Sequence, residues 1–220
     1  LAAGGALVYP QEARKADPSH WAECIAQYGV TLWNSVPAQL QMLADTQQPL
    51  PTLRLALVSG DWVPLNLLEQ LQAISADGQL IALGGATEAA IWSVFHPVTH
   101  VAPSWQSMPY GKPLANQQLH IVDERLHDRP DWVSGEIAIS GDGLADCYWM
   151  DREKTAPRFV TRDAGPRLYL TRHRGRHWPA GHIEFLGRVD RPVTIGRTPF
   201  DAGVIAASLR QILPFTCAAV

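Results

Sequence analysis

The sequence predicts an α/β fold: part of a large core with a mostly parallel sheet and helices, then a β-rich portion, then the start of a small C-terminal subdomain. Two observations predict it. Over the first 83 residues, apolar strands alternate with helical segments, which is typical of a parallel sheet covered by helices. After residue 90 short strands dominate, and Gly and Pro, with 17 copies each, separate the elements.

The elements of the first portion follow from their end signals and from the spacing of apolar residues. Asp17 and Pro18 predict an N-cap and a first helical turn, and Gly29 ends that helix. The stretch 53–58 is apolar apart from Arg54 and predicts a strand buried on both faces. The other predicted elements are strands over 6–9, 30–33 and 79–83, a helix over 37–44 and a helix from Pro64.

The second portion is predicted to contain short strands over 91–95, 118–122, 136–139, 168–171 and 182–186. A boundary is expected at 187–190, followed by a strand over 193–195 and a helix over 204–213. The predicted division is therefore a core over 1–186, α/β to about residue 90, and a hinge with the start of a second subdomain over 187–220.

The composition indicates a globular protein and argues against two classes of partner. The 220 residues are 46% hydrophobic and 18% charged, which suits a packed core rather than disorder. A net charge of −3 gives no basic excess for nucleic acid, and no apolar run approaches the roughly 20 residues of a membrane helix. The three cysteines lack metal or redox spacing, which favours a reducing compartment, the cytoplasm. The first ten residues lack the features of a signal peptide and suggest the interior of a longer chain.

Two short segments could carry chemistry, because each follows a predicted strand at the sheet edge where ligands bind. In the segment 83–88, two glycines allow close backbone approach, and Thr87 and Glu88 could hold a phosphate and a magnesium ion. The other segment is Ser59, Gly60 and Asp61. Each also fits a plain turn, with Asp61 as a helix cap in the second, and the residues alone leave both interpretations open.

The histidines near residue 175 do not have the pattern of a metal site. His173 and His177 are four residues apart, but Gly175 and Pro179 interrupt any helix, and no carboxylate shares the spacing. Arginines alternate with these histidines. The pattern therefore predicts a solvated basic loop.

Four motifs occur in a fixed order across nearly the whole chain. They are Leu-Gly-Gly-Ala-Thr-Glu at 83–88, Tyr-Gly-Lys-Pro-Leu-Ala-Asn at 110–116, the glycine-rich stretch 135–149, and Ile-Glu-Phe-Leu-Gly-Arg-Val-Asp at 183–190. Together they resemble the adenylation domains of nonribosomal peptide synthetases, within the superfamily of adenylate-forming enzymes. The resemblance implies an enzyme that joins a carboxylate to ATP, releases pyrophosphate and passes the acyl group to the phosphopantetheine thiol of a carrier protein.

The resemblance also implies roles for single residues. Thr87 would contact phosphate, Glu88 would hold Mg²⁺, and Asp190 would be the hinge of the small subdomain. The residues expected to surround the nucleotide are Gly60, Gly84, Gly85 and Ala86, with Phe185 near the adenine and Arg188 on the ribose.

Six positions match the family's specificity code, namely Asn34, Leu57, Ser59, Leu83, Ile91 and Trp92. Their order resembles the code of cysteine-activating domains that feed thiazoline formation in pyochelin- and yersiniabactin-type siderophore synthetases. Aliphatic walls and an indole suit a small, soft thiol side chain, although the same residues could simply be buried strand ends. The resemblance thus implies L-cysteine as substrate, and condensation or cyclization domains as neighbours in the same synthetase.

The sequence departs from the family pattern at its nucleotide end. Arg172 and His173 stand where the pattern has Gly and an Asp that holds the ribose, and a histidine cannot accept two hydrogen bonds as a carboxylate does. Thr194 stands where a Lys is usual, and neither the phosphate loop nor the catalytic C-terminal Lys lies within the chain. We therefore expect the chain alone not to adenylate efficiently.

Three interpretations follow. The chain could be part of a working cysteine-adenylating enzyme, with its missing motifs elsewhere and another domain inserted after the hinge. It could instead be a non-catalytic pseudo-adenylation scaffold, which His173 favours. A general acyl-CoA ligase relative is disfavoured by the specificity code and by Ala115 and Asn116.

Overall fold

The computed structural model describes residues 4–102, 105, 108–163, 165–179 and 181–188, and the backbone of two further strands over 192–195 and 198–201. The chain forms two compact units. One consists of residues 1–82 with 97–105, and the other of residues 83–96 with 106–220.

The first unit contains parallel strands with helices between them. Strand β1 pairs with β2, and β2 with β3, all in parallel. After a single 3₁₀ turn at Glu12–Arg14, the elements in chain order are α1 (Pro18–Tyr28), β1 (Leu32–Ser35), α2 (Pro37–Ala44), β2 (Leu55–Val58), α3 (Leu67–Ile74) and β3 (Gln79–Gly84). The predicted α/β fold class is confirmed.

Helix α1 begins and ends where its sequence signals predict. The Asp17 side chain accepts a hydrogen bond of 3.0 Å from the backbone N–H of Ser19, and Pro18 occupies the first turn. Gly29 adopts a left-handed conformation with φ +59° and donates its N–H to the Ile25 carbonyl. Helix α2 also spans the predicted residues.

The core of the first unit is built from leucines of the helices and from alternate residues of the strands. In β2, Ala56 and Val58 are buried while Leu55 and Leu57 are only half-buried. The expectation of a strand buried on both faces is therefore wrong, because only one face of β2 is fully covered. The fully buried leucines of this unit include Leu40, Leu43, Leu50, Leu53, Leu67 and Leu71.

The predicted strand over 6–9 is also wrong. This stretch forms no strand, and Leu7 and Tyr9 are 63% and 79% exposed. A strand depends on a hydrogen-bonded neighbour, and among the described residues none pairs with this segment.

The second unit is dominated by antiparallel strands, as the β-rich pattern after residue 90 indicates. One sheet has the order β10-β9-β7-β6, with β8 beside β9, and β4 pairs with β5. The elements are β4 (Val94–Val98), β5 (Lys112–Pro113), β6 (Gln117–Val122), β7 (Gly135–Gly141), α4 (Arg152–Thr155), β8 (Phe159–Thr161), β9 (Arg167–His177) and β10 (Ile183–Arg188).

The strand predicted over 91–95 begins three residues later than expected. A 3₁₀ turn at Thr87–Ala89 precedes it, and Ala90 and Ile91 adopt left-handed conformations with φ +58° and +72°. Left-handed backbone cannot enter a β ladder, so β4 starts only at Val94.

The predicted basic loop around His173 and His177 is instead the second half of β9, an 11-residue strand. Its arginines face acidic residues on both neighbouring strands: Arg174 is paired with Glu136 and Arg176 with Glu184. Cross-strand pairs of opposite charge stabilise a ladder, which explains why this charged stretch forms a strand.

Beyond β10, β11 (Pro192–Ile195) pairs with β12 (Thr198–Asp201) in antiparallel fashion. The predicted strand at 193–195 lies within β11. The proposed hinge residue Asp190 and the predicted helix over 204–213 lie outside the described residues. No helix in the described part of the chain combines the length and apolar character needed to cross a membrane.

Candidate active site

In the first unit, predicted site residues lie at the carboxyl ends of β1 and β2. Asn34 and Leu57 are register partners on these parallel strands, so their side chains lie on the same face. Ser59 follows β2 directly, and its N–H donates to the Ser35 carbonyl at 3.2 Å. The structure therefore brings Asn34, Leu57 and Ser59 to the edge of the sheet formed by the carboxyl ends of β1 and β2. Gly60 follows with φ +87°, a turn conformation that favours glycine.

In the second unit, the turn after β3 depends on its two glycines. An added Cβ at Gly85 would lie 2.5 Å from the Ile91 carbonyl oxygen and 2.6 Å from the Ser93 nitrogen. An added Cβ at Gly84 would overlap the ring of Tyr110. The chain folds back here, since the Ser93 N–H donates to the Gly84 carbonyl at 2.7 Å. The two glycines thus permit a close backbone return.

Thr87 and Glu88 lie on the 3₁₀ turn that this return encloses. Thr87 is exposed, whereas Glu88 is half-buried. The Tyr148 hydroxyl donates a hydrogen bond of 2.5 Å to Oε1 of Glu88. The Glu88 carbonyl accepts from the Ala145 N–H at 2.8 Å. Both the backbone and the carboxylate of Glu88 are therefore held by the loop after β7.

The Glu88 carboxylate is held in its ionised form. Burial by itself raises its pKa, but hydrogen bonds from Tyr148 and Tyr169 and the positive charge of Arg158 outweigh burial and lower the pKa below its ordinary value. Burial is the largest cause that raises the pKa of Tyr148; the contact with Glu88 raises it further, whereas Tyr169 and Arg158 oppose the rise. At neutral pH the site therefore presents a carboxylate with neutral phenol donors.

Glu88 fits the chemistry of a magnesium ligand. Mg²⁺ prefers oxygen ligands and is commonly bound through one or two carboxylates together with substrate phosphates and water. Within the described residues, no cluster of three or more His, Cys, Asp or Glu side chains could hold a metal ion.

The remaining specificity-code residues of the second unit lie on both sides of this turn. Leu83 is half-buried in β3, Ile91 is 62% exposed and Trp92 is half-buried. The Trp92 carbonyl accepts a hydrogen bond of 2.9 Å from Nε2 of Gln117 on β6. Sequence reasoning missed Gln117, because a side-chain amide at a strand start gives no local signal of its partner.

An aromatic cluster lies at the predicted nucleotide end. The Phe185 ring lies between Tyr110 and His173, with ring centroids 5.6 Å and 5.1 Å away. Arg188 on β10 is the antiparallel partner of His173 on β9. Burial raises the pKa of Tyr110 to about 12, and a hydrogen bond with the Gly85 backbone opposes this. Phe185, His173 and Arg188 are thus brought together. Tyr110 also belongs to this cluster, although the sequence analysis gave it no role in the site.

Arg172 and His173, the two departures from the family pattern on β9, both have backbone N–H groups that donate hydrogen bonds. Arg172 has φ +60°, and its N–H donates to the Glu136 carboxylate at 2.7 Å. The His173 N–H donates to Oγ1 of Thr171, whose hydroxyl donates to the Ile137 carbonyl at 2.7 Å. Arg172 therefore occupies a left-handed position that usually favours glycine.

A second polar cluster in this unit has the spacing of a catalytic triad but is structural. Nε2 of His120 lies 2.9 Å from Oγ of Ser140, and Nδ1 lies 3.5 Å from Asp128. Ser140 is 1% exposed, and Arg162 occupies both oxygens of Asp128. A nucleophile that substrate cannot reach carries no catalysis, so we assign this cluster a role in stability.

The AMP-binding enzyme family model matches residues 1–149, about two thirds of the chain. The chain belongs to the AMP-binding enzyme family. The glycine-lined return and Glu88 both lie within the matched residues.

Two curated relatives of this AMP-binding chain are a pyochelin synthetase and an anguibactin system regulator. Pyochelin synthetase PchE of Pseudomonas aeruginosa is 45% identical over 226 residues, which cover 100% of this chain and 16% of that protein. The anguibactin system regulator of Vibrio anguillarum is 43% identical over 217 residues, which cover 96% of this chain and 21% of that protein. The chain thus spans about a fifth or less of these relatives.

A solved structure with a similar fold is a nonribosomal peptide synthetase, FmoA3, in its form bound to α-methyl-L-serine-AMP. The TM-score is 0.79 and the identity 47%, over 82% of this chain and 21% of FmoA3. The predicted resemblance to adenylation domains of these synthetases is confirmed.

Proposed function

We propose that this AMP-binding chain is part of an amino-acid adenylation domain that activates L-cysteine with ATP. The observation that carries the proposal is the ionised Glu88 carboxylate, held by Tyr148 beside a backbone return that only glycines permit. An oxygen of the cysteine carboxylate would attack the α-phosphorus of ATP, the bond to the β-phosphate would break, and cysteinyl-AMP and pyrophosphate would form.

The residues of this chain would bind and orient the reactants. Glu88 would hold Mg²⁺, which when bound offsets the negative charge of the phosphates. Thr87, exposed next to it, would donate its hydroxyl to a phosphate oxygen. Gly60, Gly84, Gly85 and Ala86 would let the nucleotide approach the backbone, with Phe185 near the adenine and Arg188 on the ribose. Donors fixed before the reaction stabilise developing charge without reorganising.

The preference for L-cysteine rests on the order of six residues along the chain. They are Asn34, Leu57, Ser59, Leu83, Ile91 and Trp92. Two kinds of relative support a small amino acid: a pyochelin synthetase, and a synthetase bound to the adenylate of α-methyl-L-serine. The hydroxymethyl side chain of serine and the sulfanylmethyl side chain of cysteine are of similar size, so polarity rather than volume must separate them.

The proposed partners follow from the same assignment. The acyl group would pass to the phosphopantetheine thiol of a carrier protein, with condensation and cyclization domains in the same synthetase and a further domain after the hinge at Asp190. The proposed location is the cytoplasm, whose reducing conditions would keep the described Cys24 and Cys147 as thiols.

A second candidate is a non-catalytic pseudo-adenylation scaffold. The observation that favours it is His173, which lies against Phe185 and opposite Arg188 where the family pattern has a carboxylate for the ribose. Leaving the ribose hydroxyls without that acceptor costs about 1–3 kcal/mol of binding. Under this proposal the fold persists while nucleotide affinity is lost.

Cysteine-dependent exchange of pyrophosphate into ATP, measured in the protein that contains this chain, separates the candidates. If the domain is active, exchange is robust with L-cysteine, weaker with L-serine, and lost in Glu88→Gln. Glu153→Gln is the matched control, because Glu153 is an exposed carboxylate on the short helix α4.

His173→Asp tests the scaffold. No exchange in the unaltered protein, together with exchange in His173→Asp, would support the scaffold and overturn the active enzyme. Exchange in the unaltered protein that favours another amino acid would overturn the cysteine assignment alone.

A further inference from the structure

Two tyrosines from different parts of the second unit converge on the Glu88 carboxylate. Tyr148 lies in the loop between β7 and α4, and its hydroxyl donates to Oε1 of Glu88 at 2.5 Å. Tyr169 lies on β9 and is 5% exposed, and burial, followed by its interactions with Tyr148 and Glu88, raises the pKa of its phenol. The hydrogen bond from Tyr148 limits the rotation of the Glu88 carboxylate.

Tyr148 is itself rigidly held. Its N–H donates to Oγ1 of Thr155 at 3.0 Å, and the ammonium of Lys154 lies 4.4 Å from the centre of its ring. The ring of Phe159 contacts the rings of Tyr148 and Tyr169, with centroid distances of 5.6 Å and 5.1 Å. This packing fixes the phenol oxygens before any ligand arrives.

The loop that carries Tyr148 also fixes the backbone of the acidic residue. The Ala145 N–H donates to the Glu88 carbonyl at 2.8 Å, three residues before Tyr148. Arg167 donates to the carbonyls of Ala145 and Asp146, so the loop is anchored to β9 as well. The position and the rotation of the Glu88 side chain are therefore set by the same loop.

We propose that Tyr148, supported by Tyr169, is a positioning residue that orients Glu88 to receive a divalent cation with a nucleotide phosphate. The proposal rests on the function proposed above for Glu88. Carboxylates that bind metal are commonly oriented by hydrogen bonds from residues that do not themselves bind the metal. Mutation of such a residue lowers the metal affinity about 10–100-fold. Tyr148 uses one acceptor site of the carboxylate, which leaves other lone pairs of Glu88 that would bind the cation.

The experiment is a titration of Mn²⁺ into the protein that contains this chain, with the ATP analogue AMPPNP present and bound Mn²⁺ followed by electron paramagnetic resonance. Tyr148→Phe retains the ring and removes only the hydroxyl. We expect its Mn²⁺ dissociation constant to rise about 10-fold. We expect a smaller rise for Tyr169→Phe, and none for Tyr28→Phe, whose ring is 60% exposed on α1.

A kinetic measurement separates positioning from a general loss of structure. In ATP–pyrophosphate exchange, Tyr148→Phe should need more Mg²⁺ for half-maximal rate while the KM for cysteine stays the same. A loosened fold would instead raise both values and lower the midpoint of thermal unfolding.

The outcomes also separate this proposal from the function on which it rests. If Glu88→Gln weakens Mn²⁺ binding and Tyr148→Phe leaves it unchanged, the positioning role is overturned and the metal site survives. If Glu88→Gln has no effect on Mn²⁺ binding, both are overturned. A weakening in both variants, with Tyr28→Phe unchanged, supports the proposal.

Discussion

The ring of Tyr110 packs directly against the α-carbon of Gly84, so that any side chain at residue 84 would overlap it. The Phe185 ring contacts the Tyr110 ring, with ring centroids 5.6 Å apart. Gly84 is therefore required for packing rather than for an unusual backbone conformation. The contact links the glycine-lined return to the aromatic cluster at the nucleotide end.

Gly84→Ala is expected to destabilise the protein, because the added methyl group must displace the Tyr110 ring. Overpacking of this kind costs about 1–3 kcal/mol. The measurement is the free energy of unfolding in urea. Gly143→Ala is the matched control, since its added methyl would meet the flexible amide of Gln117 at 3.1 Å, and it should cost less. Equal losses in the two variants would contradict this account of Gly84.

Thr171→Val should be strongly destabilising although the two side chains have the same shape. The Thr171 hydroxyl donates to the Ile137 carbonyl at 2.7 Å and accepts from the His173 N–H at 3.0 Å. Valine leaves both backbone groups without this partner, at a cost of about 1–3 kcal/mol. Thr161→Val on the exposed end of β8 is the comparison, and we expect urea unfolding to show little change there. A Thr171→Val variant as stable as the parent would refute the role.

The stability of the second unit should fall as the pH drops below about 6.5, the ordinary pKa of histidine. Burial and the charge of Arg162 lower the pKa of His120. As the pH falls, His120 therefore takes up a proton in the unfolded chain before it does so in the folded chain. Its contribution to the stability of the folded state is complete above its unfolded pKa and is lost as the pH falls through its folded pKa.

His120→Gln tests this, since glutamine does not titrate. Unfolding in urea between pH 7 and pH 5 should show a weaker pH dependence than in the parent. His127→Gln, at a side chain 73% exposed, should keep the parent's dependence. If His120→Gln and the parent lose stability in parallel, another group is responsible.

Gln117→Met should raise the KM for the amino acid in ATP–pyrophosphate exchange. Nε2 of Gln117 donates to the Trp92 carbonyl at 2.9 Å and thereby holds a residue of the proposed specificity code. A lost hydrogen bond of about 1 kcal/mol corresponds to a change of roughly fivefold. The KM for ATP should stay within about twofold, because the contact of Gln117 with the turn that carries Thr87 and Glu88, a bond to the Ala89 carbonyl, is long at 3.5 Å. Gln118→Met, exposed on the same strand, is the control, and a similar change there would contradict the assignment.

Much of the first unit was predictable because its signals are local. Asp17, Pro18 and Gly29 fix the ends of α1 through their own backbone and capping chemistry, which needs no distant partner. In the second unit, the two glycines before Thr87 and Glu88 likewise predict a turn, and a 3₁₀ turn lies there. What failed was local inference about strands: 6–9 is apolar enough for one, but no described neighbour pairs with it.

By itself, then, the sequence determined the fold class, the family resemblance and the chemical identity of Glu88, since each depends on residue type and order. Only the tertiary structure decided that the arginine-rich stretch of β9 is a strand, because Glu136 and Glu184 lie 38 and 8 residues away from their partners. The tertiary structure alone also showed that Tyr148 hydrogen-bonds to Glu88 and that the Tyr110 ring packs against Gly84. Hydrogen bonds and packing between residues distant in sequence leave no periodicity in the chain, so they become visible only once it is folded.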